Sequence, residues 1–105
     1  MNENEMIYFQ IISAVGTARS MFIEAIQLAK EGKFDDARAS MEEGNEYFIE
    51  GHQAHAKLVQ REASGEQLVF SLILVHAEDQ FMSAENFKIL GQEFIDLYER
   101  LEEGK

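Results

Sequence analysis

The segment Leu72-Ile73-Leu74-Val75-His76-Ala77-Glu78-Asp79-Gln80-Phe81-Met82 sets one imidazole and two carboxylates in a run that is otherwise almost wholly apolar. An unpaired polar or charged group is costly to bury, so such groups are paired, metal-bound or functional. His76 can act as a nucleophile or a proton carrier. A histidine that carries a phosphoryl group needs a neutral, exposed ring nitrogen and apolar surroundings that a partner can cover, because water hydrolyses the intermediate. The competing reading is a core histidine held by a hydrogen bond, the commoner fate of a histidine among apolar residues. Gln80 stands four residues after His76 and shares its helical face.

Asp79 has Leu72, Val75 and Met82 for neighbours at helical spacing, and no Lys or Arg occurs between Arg61 and Lys88. A carboxylate there must be paired, protonated or metal-bound. Should this helix line a rotation axis, Asp79 meets its own copies, which then share a proton or a cation, and an oxygen-only site suits Mg²⁺ or a similar hard cation. The plainer alternative is a solvated Asp79 at the rim. His52 and His55 form His-x-x-His, a spacing able to bind metal. Glu-x-x-His and His-Glu-x-x-His are both missing, so the di-iron bundle and zincin patterns are not met and these histidines read as structural or surface residues. Serine-hydrolase and P-loop motifs are missing too.

The positions of these residues depend on helices. The chain has no proline, so breaks fall at glycine and polar clusters. Glu31-Gly32-Lys33 before Phe34-Asp35-Asp36 reads as a helix stop and a new acidic first turn, and Glu62-Ala63-Ser64-Gly65-Glu66 reads the same way. These breaks predict three helices near residues 4–31, 34–62 and 67–102. In the first, Ile7, Ile11, Ala14, Ala18, Met21, Ala25 and Leu28 step by fours and threes, with a neighbouring stripe interrupted by Arg19. In the second the stripe is Phe34, Ala37, Met41, Gly44, Phe48, Gly51, His55 and Leu58. Short connections predict an all-α, antiparallel up-down-up three-helix bundle.

The third helix carries three stripes. One holds Phe70, Leu74, Ala77, Phe81, Ala84, Gly91 and Ile95; a second holds Val69, Ile73, His76, Gln80, Ser83, Phe87, Leu90, Phe94 and Leu97; a third holds Leu68, Leu72, Val75, Asp79, Met82, Asn86 and Ile89. A helix apolar nearly all round must be covered nearly all round, and two other helices do not suffice. The pattern therefore predicts self-association with the third helix nearest the symmetry axis, in a closed ring of unspecified number.

Composition narrows the class. The 105 residues fit one domain, and 46% apolar content marks a globular chain. No cysteine is present, which removes disulfides and thiolate chemistry and suits a reducing compartment such as the cytoplasm. The acidic start Met1-Asn2-Glu3-Asn4-Glu5 argues against a signal peptide, and no uninterrupted apolar run is long enough to span a bilayer. The net charge of −11 repels nucleic acid and anionic lipid. Most of that charge serves solubility; steering toward a partner with a basic face is a second use.

The chain resembles the enzyme IIA component of the lactose/cellobiose (chitobiose) group of the bacterial sugar phosphotransferase system. The resemblance is carried by Ser71-Leu72-Ile73-Leu74-Val75-His76-Ala77-Glu78-Asp79-Gln80-Phe81-Met82-Ser83, against a family pattern close to S-L-L-L-V-H-A-Q-D-H-L-M-T. Supporting matches are Gly16-x-Ala18-Arg19-Ser20, Glu24-Ala25, Ala29-Lys30-Glu31-Gly32 and Gln60-Arg61-Glu62-Ala63-Ser64-Gly65-Glu66. It implies a homotrimer of three-helix protomers and phosphorylation of His76 by the phosphocarrier HPr. It further implies transfer to a cysteine of the cognate enzyme IIB for uptake of a β-linked disaccharide such as cellobiose or lactose. Asp79 from three subunits would converge on a divalent cation at the axis, where an oxygen-only site suits magnesium. Glu78 and Gln80 depart from the family's usual Gln and His, and Gln80 is expected to orient the ring or contact phosphate oxygens. Two rival readings remain: a non-catalytic helical oligomerisation or adaptor module, and a two-component phosphotransfer domain, whose usual His-x-x-Lys-Gly is not matched by His76-Ala77-Glu78-Asp79.

Overall fold

A computed structural model describes residues 1–105 as three long helices: α1 (Glu3–Lys30), α2 (Phe34–Ala63) and α3 (Leu72–Glu103). They lie along one axis in a rod of 57 × 21 × 20 Å. The ends are set by local chemistry. Asn2 caps α1, its side chain accepting from Glu5 N–H at 2.8 Å while the Glu5 carboxylate accepts from Asn2 N–H. Both turns are Schellman motifs on a left-handed glycine. Gly32 (φ 80°) lets Lys33 N–H reach the Leu28 carbonyl, and Gly65 (φ 102°) lets Glu66 N–H reach the Arg61 carbonyl.

One expectation needs correction. The third helix starts at Leu72, not at 67. Ser71 is its N-cap, its Oγ accepting from Leu74 N–H at 3.2 Å, and residues 66–71 form a non-helical link. Val69 and Phe70 are therefore not members of the helical stripes; both lie exposed on the link, while Leu68 packs on the core. The expected acidic first turn is also missing from α3.

Ser40 Oγ donates to the Met21 carbonyl, and Arg61 donates to Asn4, so α2 runs antiparallel to α1. Tyr8 shares a cleft with Ser71 and Ile73, and Arg19 meets Ser83, so α3 runs parallel to α1. The core lies along the seam, with Ile11, Val15, Phe22, Leu58 and Ile95 fully buried. Small residues let the helices approach closely. A Cβ on Gly44 would stand 2.7 Å from the Phe22 ring and one on Gly91 3.0 Å from Met41 Sδ; one on Gly51 would collide with Val15. α1 is long and apolar enough to cross a membrane by composition, yet it is the core helix, with nine residues buried against α2 and α3.

The apolar surplus of α3 stays uncovered. Leu72 is 81% exposed, Met82 54% and Ile89 59%, and Val75, Leu90, Phe94, Leu97 and Leu101 are exposed as well. This is the face left over once α1 and α2 have packed, as the stripe pattern anticipates.

Candidate functional site

α3 has two flanks and an open face between them. On the α2 flank the polar side chains nearest the core are paired across to α2. Glu78 Oε1 lies 2.7 Å from His55 Nε2, and the His55 ring stacks on Phe81 with centroids 4.5 Å apart and an interplanar angle of 11°. Phe81 also stacks on Phe48, and Lys88 Nζ lies 5.0 Å over the Phe48 ring. Farther along, Arg38 donates to Glu99 at 2.6 Å; that hydrogen bond is the main reason the guanidinium is held above its usual pKa.

On the α1 flank, Arg19 Nε donates to Ser83 Oγ at 3.1 Å and its guanidinium lies 4.8 Å over the Phe87 ring. Ser83 and Phe87 continue the stripe that begins at His76 and Gln80, since these four positions recur by fours and threes. His76 is exposed and Gln80 half-buried. Neither takes part in the side-chain hydrogen bonds that occupy their neighbours Ser71, Glu78 and Ser83. His76 is thus not a satisfied core histidine: its ring is open to a second molecule.

Asp79 stands near the middle of the open face, about 60° around the helix from His76 given 3.6 residues per turn. It is exposed, and Leu72, Val75 and Met82 around it are exposed too. One protomer supplies no cluster of three or more acidic or histidine side chains able to hold a metal. Asp79 alone therefore makes no metal site within one chain.

Three placements depend on contacts between helices. Glu78 does not lean over the His76 stripe but turns to α2. His55 is a structural residue and half of an interhelical pair; His52, exposed beside Phe48 and Phe81, makes none. Arg19, which interrupts an apolar stripe, is the clip between α1 and α3; its one sequence signal is a lone cation where the stripe wants an apolar residue.

In this up-down-up bundle the third helix presents an unpartnered histidine, on an uncovered apolar face, to a second molecule. The chain's residues 6–99 match the sequence profile of the family described as PTS system, lactose/cellobiose-specific IIA subunit. It is 40% identical over 104 residues to the lichenan-specific phosphotransferase enzyme IIA component of Bacillus subtilis, covering 98% of this chain and 94% of that one. The cellobiose-specific enzyme IIA from Bacillus anthracis superposes with a TM-score of 0.97 at 43% identity, covering 100% and 96% of the two chains. The IIA(chitobiose) structure solved in complex with HPr from the Escherichia coli N,N'-diacetylchitobiose branch superposes with a TM-score of 0.80 at 31% identity, covering 97% and 99%. The chain therefore belongs to the lactose/cellobiose-specific enzyme IIA family of the sugar phosphotransferase system, and is a phosphotransferase component.

Proposed function

We propose that this chain relays a phosphoryl group through His76, taking it from phospho-HPr and passing it to a cysteine of the cognate enzyme IIB for uptake of a β-linked sugar such as cellobiose or lactose. The observation that carries the reading is the open, hydrogen-bond-free imidazole of His76 on an uncovered apolar face. The solved complex of a structurally similar IIA with HPr supports the choice of donor.

The transfer balances as a displacement at phosphorus. A lone pair on one His76 nitrogen forms the new N–P bond as the donor N–P bond breaks, its electron pair returning to the donor nitrogen. The far nitrogen of His76 releases a proton, and the far nitrogen of the donor ring gains one. Positioning and charge stabilisation do most of the work in such a step. The local field helps. His76 is the fifth residue of α3 and helical side chains lean toward the N-terminus, so a phosphoryl group on it sits toward the positive end of the helix. α1 and α2 carry carboxylates in their first turns and α3 carries none. Gln80, with an amide donor one turn on, contacts phosphate oxygens or orients the ring.

Self-association completes the reading: a homotrimer about the Asp79 face covers Leu72, Met82 and Ile89 and shields the His76 margin from water. A divalent cation, with Mg²⁺ the best chemical fit, would be held by Asp79 from each copy and would neutralise their mutual repulsion. The work is cytoplasmic, with no nucleic acid and no membrane insertion of this chain.

The test is incubation with phosphoenolpyruvate, enzyme I and HPr, followed by intact-mass measurement. The expected result is an acid-labile gain of one phosphate, absent in His76→Ala. A wild-type chain that takes up no phosphate, or a gain that survives His76→Ala, would overturn the relay reading.

A further inference from the structure

Arg19 is half-buried, donates to a neutral hydroxyl and stacks on a ring, yet no carboxylate of its own protomer lies within ion-pair reach. Arg38 and Arg61, by contrast, are paired with Glu99 and Glu3. A guanidinium has five donors in a planar fork, and one bond to Ser83 leaves most of them unspent. In a chain with 20 acidic residues, a partly desolvated arginine without a carboxylate partner is an exception that calls for a partner from elsewhere.

The opposite margin of the open face carries the complement. Glu85 follows Glu78 by seven residues, which returns it to the same side of α3, at the α2 edge of the uncovered face. Glu78 is held by His55; Glu85 is exposed and makes no ion pair or hydrogen bond within the protomer. Ser83 and Glu85 are two residues apart, so the cation and the free carboxylate stand within about 3 Å of the same height along α3. Asp79, Val75, Met82, Asn86 and Ile89 form the a and d seam between them, His76 and Ser83 fall at e, and Glu78 and Glu85 at g.

We infer that Arg19 of one copy pairs with Glu85 of the next around the ring. The inference rests on the self-association proposed above and names its charged contact. Rotation about an axis parallel to α3 preserves height, so the α1 margin of each copy meets the α2 margin of its neighbour at the same level. The contact is heterologous: one edge supplies the cation and the other the anion, which closes a ring in one direction and disfavours an antiparallel or face-flipped pair. It also seats the neighbour two turns from His76 on the same margin, so the surface a phosphoryl donor meets is built from two copies.

The test is charge reversal read by sedimentation equilibrium of the full chain, with thermal unfolding alongside. Glu85→Arg leaves the Arg19–Ser83 clip untouched, so its effect on assembly is not one on protomer folding. Glu85→Arg and Arg19→Glu are each expected to weaken assembly about tenfold or more, and the double reversal to restore it to within about threefold of wild type, as coupled charge pairs across an interface do. Glu85→Arg with wild-type assembly, or a double reversal no better than the worse single one, would overturn the pairing. Should the wild-type chain itself sediment as a monomer, self-association falls and this contact with it; loss confined to the reversals separates the two outcomes.

Discussion

The two histidines His55 and His76 sit on facing and adjacent turns of the same end of the bundle, yet they live in different chemistry. His55 is stacked on Phe81 and bonded to Glu78, its ring spent on joining α2 to α3. His76 is one residue from the core position Ala77 and points the other way, into an open apolar face. The difference comes from a helix turning about 100° per residue, so that a single step moves a side chain from one flank toward another. The polar pair on the covered flank, His55 and Glu78, is satisfied and stabilises; His76 on the uncovered face is kept available. Breaking this contrast should therefore separate function from stability.

The largest effect on function is expected from His76→Gln. Phosphate uptake falls to nothing measurable by mass, while stability stays within about 0.5 kcal/mol, as for an exposed residue without partners. A drop in the denaturation midpoint comparable to a core mutant would place His76 on the wrong side of the comparison. The mirror image is Phe22→Ala in the seam, expected to cost about 3–5 kcal/mol because a fully buried ring leaves a cavity. At concentrations where the variant remains folded, it should still accept phosphate on His76.

Asp79→Asn tests the middle of the open face. In the trimer proposed above, the substitution removes three mutually repelling carboxylates, so it should stabilise the metal-free assembly by several degrees in thermal unfolding, and a chelator should destabilise the wild type but not the variant. A wild type indifferent to chelator, with an Asn variant no more stable than it, removes the case for a shared cation.

Much of this contrast is legible in the sequence, and the part that is not has a physical cause. The stripes place Asp79 and His76 on separate lines because helical periodicity is local. The first two helix ends are announced by Gly32 and Gly65, whose positive φ the Schellman turn requires. The start of α3 is misread because Gly65-Glu66 resembles Gly32-Lys33. After Gly32 the chain needs one residue before re-entering a helix; after Gly65 it runs to Ser71, which alone offers a capping hydroxyl. The Glu78–His55 pair joins residues 23 apart on different helices, and the Arg19–Ser83 bond joins residues 64 apart; no local pattern encodes either. Helical spacing already turns Glu78 away from His76, two residues before it; the partner it meets on α2 is what no local pattern encodes.

Glu78→Gln sharpens the same point at smaller scale. The amide keeps a hydrogen bond to His55 but not the charge, and the pair is partly exposed, so the cost is expected near 0.5–1 kcal/mol. The rate of phosphate uptake should be unchanged. A faster rate would mean that the Glu78 carboxylate reaches the His76 stripe after all and repels the incoming phosphoryl group.

The smallest effect belongs to Tyr8, on the covered side beside the link. Burial pushes its phenol above the ordinary value of 10.0, and the carboxylates of Glu5 and Glu66 push the same way. The unfolded chain then loses this proton before the folded one does. Above pH 10.0 the unfolded state binds fewer protons at this site, so stability falls as pH rises. The contribution is fully present below the unfolded value and lost as pH climbs through the folded one. Urea midpoints at pH 8 and pH 10.5 should therefore drop more for wild type than for Tyr8→Phe, which keeps the ring and has no proton to lose. Parallel drops would mean that Tyr8 ionises as readily in the fold as out of it, and that the covered side is wetter near the link than its packing implies.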